Sequence, residues 1–503
     1  MTCRCIFGSA SRAEARRRGR RAARAGYTNP SDFCQLSPAR FAVVSSRRRP
    51  TTKLFHLSSV MRDSESVSEK AAKPALRVRV AVVLASVVVA LLIFEVFLRT
   101  VGYTYPVFYQ PDEVRGYSLK PNMEGWYRKE GAAFVRINGD GLRDREHSKQ
   151  KAPGTLRIAV VGDSYAEAFQ VEQDKAFWSV MERRLGECPA LAGRRVEVIN
   201  FGVSGYGTAQ ELLTLREKVW DYSPDVVLLA LTTNNDVLDN SRALKQTDEI
   251  PYFVLRGDQL VLDNSFRDTA SFRLRDSALN RAGRWLRDHL RFVQAIHEAH
   301  AALKSKLAEW RERRAARQAK QNGGTPGGSG ANAADSANAA GGAQGAPQEG
   351  VPTDELGAAN MIYREPQDDV WRDAWRVTEK LLATMSDEVK SHGAKFFVVT
   401  LSNGIQVYPE AAAREAFARR VGAQDLFYAE RRFKSLGERE GFTVFNLAPD
   451  LQSYADEHRV FLHGFGRELG NGHWNEEGHR VAGEMLAQWL CQQIADFGMR
   501  NAD

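Results

Sequence analysis

Ser164 stands directly after Gly162-Asp163, at the end of the apolar run 156–161 (LRIAVV). A serine at a strand-to-helix turn has its hydroxyl lifted out of a sheet. Its backbone N–H lies at the positive end of the next helix, where a developing oxyanion is stabilised. Gly-Asp-Ser also suits an ordinary turn, so the tripeptide alone decides little. Residues 200–207 (NFGVSGYG) come directly after the run 195–199. Glycines so dense bring backbone N–H groups close to a ligand, although a loop needing positive φ angles reads the same way. Residues 232–236 (TTNND) come directly after the run 226–231, and a side-chain amide there can donate to an oxyanion or cap a helix. His473 precedes the last helical stretch and is the candidate base. A lone histidine is more often structural, and each of these blocks taken singly is a weak signal.

The elements that must position them are regular. Short apolar runs at 156–161, 195–199, 226–231, 395–401 and 442–447 read as buried strands. Helical periodicity fills 175–185, 209–220, 368–389, 411–436 and 476–494. Strands alternating with helices imply a parallel sheet covered on both faces, and such sheets bind ligands at the carboxyl ends of their strands. All the candidates above fall at those ends or just before a helix. The interval 238–367 interrupts the alternation as an insertion. It contains a charged helical stretch from Ser277 to about Gln321, with Leu279, Trp285, Leu290, Phe292, Val293 and Ile296 as one usable face. A Gly/Ala/Ser/Asn-rich tract within 321–352 reads as a flexible linker.

In order, spacing and strand context these blocks resemble the SGNH (GDSL-like) hydrolase superfamily. Gly162 to Ser164 match its GDS block, Gly205 its glycine block, Asn235-Asp236 its Asn-Asp block and His473 its final His block. The resemblance covers 157–490 less the insertion. Residues 138–144 (NGDGLRD) are similar to the segment before the GDS block in membrane-anchored bacterial members. It implies a flavodoxin-like three-layer α/β/α sandwich with a parallel sheet, and ester hydrolysis through an acyl-enzyme. Ser164 would be nucleophile and His473 base, with the N–H groups of Ser164 and Gly205 and the Asn235 side chain holding the oxyanion. One departure stands out. The family carries Asp three residues before the His, and Gly470 occupies that position. Glu468 and Asp450 are the candidate substitutes, with a Ser–His dyad as the alternative. His479, six residues past His473, reads as a packing or capping residue. Flavodoxin order would also bring the helices after Ser164 and His473 together on one face, with Cys188 and Cys491 close enough for a disulfide.

Residues 80–98 (VAVVLASVVVALLIFEVFL) carry one ionisable group, Glu95, and are long enough to cross a bilayer. Lys70, Lys73, Arg77 and Arg79 precede the span and only Arg99 and Arg115 lie nearby after it. The positive-inside rule therefore puts the N-terminus in the cytoplasm and the rest outside it, in a periplasm-like compartment. No small-x-small site comes after the span, which favours an uncleaved signal anchor over a signal peptide. Residues 1–79 form a basic segment without apolar periodicity. Met61 is the expected start, and a disordered basic tail is the rival reading. Residues 99–152 read as a spacer with small extended elements, and 153–503 as the hydrolase domain. The net charge of +8 sits largely in runs such as Arg16-Arg17-Arg18 and Arg47-Arg48-Arg49. No nucleic-acid partner is inferred, and neither a cofactor nor a metal site is expected. The expected partner is an acylated small molecule, glycan or lipid. An O-acyltransferase on glycans, or an inactive SGNH-fold binding protein, is the alternative.

Overall fold

The computed structural model describes residues 75–321 and 357–496. The basic opening segment, Met61, and the linker from residue 322 lie outside them. Helix α1 (Leu76–Thr100) is long and apolar enough to cross a membrane. It extends the expected 80–98 span at both ends, to roughly 37 Å at 1.5 Å per residue. Two antiparallel hairpins come next, β1 (Tyr109–Asp112) with β2 (Gly116–Leu119), and β3 (Glu124–Tyr127) with β4 (Ala133–Arg136).

The parallel sheet begins with β5 (Thr155–Gly162), whose eight residues are all buried. After it come α2 (Ser164–Glu167), α3 (Phe177–Leu185), β6 (Arg195–Asn200), α4 (Thr208–Glu217), β7 (Val226–Thr232) and α5 (Thr233–Asp239). The insertion then carries α6 (Arg242–Lys245), a hairpin of β8 (Tyr252–Arg256) and β9 (Gln259–Asp263), α7 (Ala270–Arg275), α8 (Ala278–His289) and α9 (Arg291–Gln321). The chain returns through α10 (Asp369–Ser391), β10 (Lys395–Leu401), α11 (Ala411–Val421), α12 (Tyr428–Glu440), β11 (Thr443–Asn446), α13 (Leu447–His458) and α14 (Glu476–Asp496).

The sheet order is β11–β10–β7–β5–β6, parallel throughout. This is the flavodoxin-like order, and its direction reverses between β5 and β7. At such a switch point the two crossovers leave on opposite faces and open a crevice above the strand ends. One face is covered by α4, α10 and α12, the other by α3, α13 and α14. The central strands are apolar end to end because both their faces are covered. Three local details differ from expectation. The stretch 411–436 is two helices, broken where Gly422 takes the left-handed conformation after α11. Helix α13 has no counterpart among the periodic stretches. The helix opened by Ser164 is a single turn, stopped at left-handed Ala168. The N–H of Ser164 therefore acts as an individual donor with little summed helix dipole behind it.

Helices α3 and α14 pack together, and Cys188 and Cys491 form a disulfide with Cα atoms 5.8 Å apart. It ties the first crossover to the last helix across 303 residues. Cys491→Ser should lower the unfolding free energy by about 2–5 kcal/mol. Guanidinium titrations of the oxidised chain and of the Cys491→Ser variant measure this, and coincident midpoints would contradict it.

Candidate active site

Asp163 organises the mouth of β5. Its fully buried carboxylate caps α2 by accepting the Tyr165 N–H at 3.0 Å, the Thr232 hydroxyl at 3.0 Å and the Asn235 amide at 2.8 Å. Three donors compensate for burying a charge here, although burial still raises its pKa. The same contacts clamp the end of β5 to the end of β7, so Ser164 and Asn235 share one rim.

His473 enters from the loop before α14. Its Nε2 lies 2.8 Å from Ser164 Oγ. On its other side, Nδ1 lies 2.5 Å from Glu130 Oε2, and its backbone N–H donates to Glu130 Oε1 at 2.7 Å. A carboxylate on Nδ1 fixes the proton there and leaves Nε2 to accept from the serine. The carboxylate seated on Nδ1 is thus that of Glu130, from the turn between β3 and β4, and not that of Glu468 or Asp450. Both of those carboxylates lie exposed, on chain segments that do not present them to Nδ1. A side chain at Gly470 would overlap the Tyr408 ring, its Cβ falling 2.5 Å from Cε2. The family's usual position for the acid is therefore filled by packing. Gly472 explains how Glu130 fits instead. It sits at φ +76°, and a Cβ there would lie 2.3 Å from Glu130 Oε1. Only glycine gives the carboxylate that space.

The turn is held in register by its hairpin. The Trp126 N–H donates to Thr104 Oγ1 and the Phe134 N–H to Glu172 Oε1, while Tyr127 packs edge-on against Phe169. Residues 99–152, a spacer by their sequence, therefore complete the constellation. No local signal marks Glu130, because Arg128-Lys129-Glu130-Gly131 reads as a polar turn.

Gly205 takes φ +76° over the ring of Tyr117, whose hydroxyl donates to the Ser204 carbonyl at 2.9 Å. The Ser204 N–H in turn donates to Glu167 at 3.1 Å, and Tyr109 donates to both oxygens of that carboxyl. Burial pushes Glu167 up to about 8. The glycine loop is thereby fixed beside α2. Among the described residues, the N–H groups of Ser164 and Gly205 are engaged by no acceptor. Asn235 uses one amide proton on Asp163, and the second meets no acceptor among the described residues.

The two further histidines are structural. His463 donates through Nδ1 to the Gly472 carbonyl at 2.7 Å and accepts at Nε2 from Ser402 at 2.9 Å. It steadies the segment carrying His473, and burial holds it down to about 4. His479 stacks on Phe177 and faces its N–H, a packing role as expected.

Burial alone would lower the pKa of His473. The hydrogen bond and charge of Glu130, with the charge of Asp163, outweigh burial and raise it. Burial would likewise raise Glu130, but His473 holds it below its usual value. If the neutral imidazole is to take a proton from Ser164, kcat/KM should fall on acidification through this raised pKa, at higher pH than for an ordinary histidine. Removing the anion removes what favours imidazolium, so Glu130→Gln should shift the acid limb to lower pH. Superimposable acid limbs in the two pH profiles would rule this out.

Fold and site define a flavodoxin-like α/β protein carrying a Ser–His–Glu constellation at its switch point, of the type its SGNH-like motifs imply. No family model and no curated protein matches the chain. Among solved structures, the acetyl xylan esterase AlAXEase aligns with a TM-score of 0.30 and 11% identity, over 67% of this chain and 98% of its own. TesA aligns at 0.29 and 12%, over 67% and 99%. A catalytic mutant of Axe2, an acetylxylan esterase from Geobacillus stearothermophilus, aligns at 0.30 and 10%, over 69% and 96%. Likenesses this distant do not say what this chain acts on.

Proposed function

We propose that this protein is a membrane-anchored serine esterase that works through an acyl-enzyme on Ser164. One observation carries the reading: the unbroken line Glu130–His473–Ser164, with contacts of 2.5 and 2.8 Å, beside N–H donors without acceptors. Ser164 Oγ attacks the ester carbonyl carbon as His473 Nε2 takes its proton, and Glu130 stabilises the imidazolium. The N–H groups of Ser164 and Gly205 and the Asn235 amide receive the oxyanion. Collapse breaks the acyl C–O bond, and the departing alcohol takes the proton from His473. Water then repeats the sequence, releasing the acid and free serine.

Helix α1 serves as an uncleaved anchor, with the catalytic domain on the extracytoplasmic side. The basic residues before the span support that orientation, and the Cys188–Cys491 disulfide suits an oxidising compartment. The substrate class that fits this address is an O-acylated envelope glycan or lipid. The motive for an inactive binding protein is Gly470, and a carboxylate already seated on His473 weakens it.

The test is to treat the full chain with a fluorophosphonate probe and to assay short-chain nitrophenyl esters. One phosphonyl adduct, on Ser164, and ester turnover are expected. A folded protein that neither labels nor turns over would sink the proposal. Partition of the acyl group between water and a glycan hydroxyl separates hydrolase from transferase.

A further inference from the structure

Helix α8 is amphipathic in the inverted sense. Leu279 and Trp285 are 83% and 59% exposed, Leu286 is 44% exposed, and none of its residues is buried. Arg284, Arg287 and Asp288 are the better covered of its charged side chains, while Arg281 stays 59% exposed. Asp288 accepts from Lys120 Nζ at 2.7 and 2.8 Å, and Arg284 donates to the Arg275 carbonyl. By sequence Leu279 and Trp285 belong to one usable face, yet apart from the His289 ring stacked on Trp285 nothing in the described residues covers this side of α8. A helix surrounded by water turns its charges outward, since apolar side chains gain by leaving water. One that turns them inward has an apolar neighbour on its outer side.

The position of α8 says what that neighbour is. Its last residue and the start of α9 are bonded to the final turns of α1. Arg99 donates to the His289 carbonyl at 2.7 Å, and the Phe292 N–H donates to Glu95 at 2.9 Å. Wherever α1 leaves a bilayer, α8 is at that surface. Charge agrees: residues 270–291 carry six arginines and two aspartates. A cavity of about 510 Å³ beside α8 is lined by Lys120, Arg281, Arg284 and Arg291, with Asp288, already paired to Lys120, and Glu124 as its two carboxylates. Arginines flanking an apolar stripe with a tryptophan are what an interfacial helix presents to anionic lipid.

We infer that α8 lies in the interface of the bilayer that α1 crosses. Leu279 and Leu286 sit among the upper acyl carbons, Trp285 at their boundary with the headgroups, and the neighbouring arginines and cavity on phospholipid phosphates. This rests on the anchoring read for α1, but not on which side the domain occupies. Its consequence is a catalytic domain held at a fixed orientation to the membrane rather than tethered loosely.

The test uses the full chain with Cys3, Cys5 and Cys34 exchanged for serine, in phosphatidylglycerol nanodiscs. Spin labels are placed singly by Leu279→Cys, Val88→Cys in the middle of α1, and Asp369→Cys on a remote exposed surface. The readout is the ratio of collisions with oxygen, which prefers acyl chains, to collisions with a water-soluble nickel chelate. A ratio at Leu279 several-fold above that at Asp369, and below that at Val88, supports the inference. A water-like ratio at Leu279 with a lipid-like Val88 overturns it and leaves the anchor standing. A water-like Val88 removes the anchor and the inference together. A Leu279 label shielded from both reagents means that protein covers this face, which also overturns it.

Discussion

Glutamine in place of Glu130 should lower kcat/KM for an activated ester by about 10⁴-fold, with the fold intact. The carboxylate makes two contacts that glutamine cannot both reproduce. It accepts from His473 Nδ1 at 2.5 Å and from the His473 backbone N–H at 2.7 Å. An amide oxygen can keep one of these. An amide NH₂ turned toward Nδ1 favours the tautomer with its proton on Nε2, where it faces Ser164 and cannot receive the serine proton. The negative charge that offsets the imidazolium is lost as well. The measurement is steady-state kinetics on the full chain, with thermal melting to confirm that the variant folds. Activity within a few-fold of the unaltered chain would show that another group orients the imidazole. Gly470→Asp should not restore activity to the Glu130 variant, because the Tyr408 ring occupies the space that side chain needs.

Ser164→Ala and His473→Ala should each remove about 10⁶-fold in kcat, and the double variant should be little worse than either. The serine is a weak nucleophile until Nε2, 2.8 Å away, takes its proton, and the imidazole does nothing for an ester without a hydroxyl to activate. Groups acting as a unit fail together, so near-coincident losses are the signature of one machine. Losses that multiply would mean independent roles. Residual turnover above the uncatalysed rate is expected from the donors of Gly205 and Asn235, which neither substitution touches.

The source of the acid matters for how the protein is built. The serine follows the end of β5 and the histidine comes from the loop before α14, whereas Glu130 arrives on a hairpin that precedes the sheet. That hairpin begins about two dozen residues after α1 ends and is bonded at Thr104 to the chain leaving the helix. The Ser–His–Glu constellation is thus incomplete without the stretch that joins the sheet to α1.

Much of this was legible in the residues alone. Buried parallel strands must be apolar on both faces, so five runs of that kind announced the sheet. Because ligands collect at strand carboxyl ends, Ser164, Gly205 and Asn235 could be named from their places just past three of those runs, and His473 from the start of the last helix. An uninterrupted apolar span marks a bilayer-length helix by the same logic of solvent. The cysteine pair depended on strand order and could be named once that order was assumed. The tertiary structure alone decided Glu130 and the exposed face of α8. Periodicity records which side of an element is apolar, but not what stands opposite it. A carboxylate in a polar turn looks the same in sequence whether it meets water or an imidazole 343 residues away. Leu279 and Trp285 read as one usable face without a stated neighbour for the same reason, and only the packing shows that face exposed.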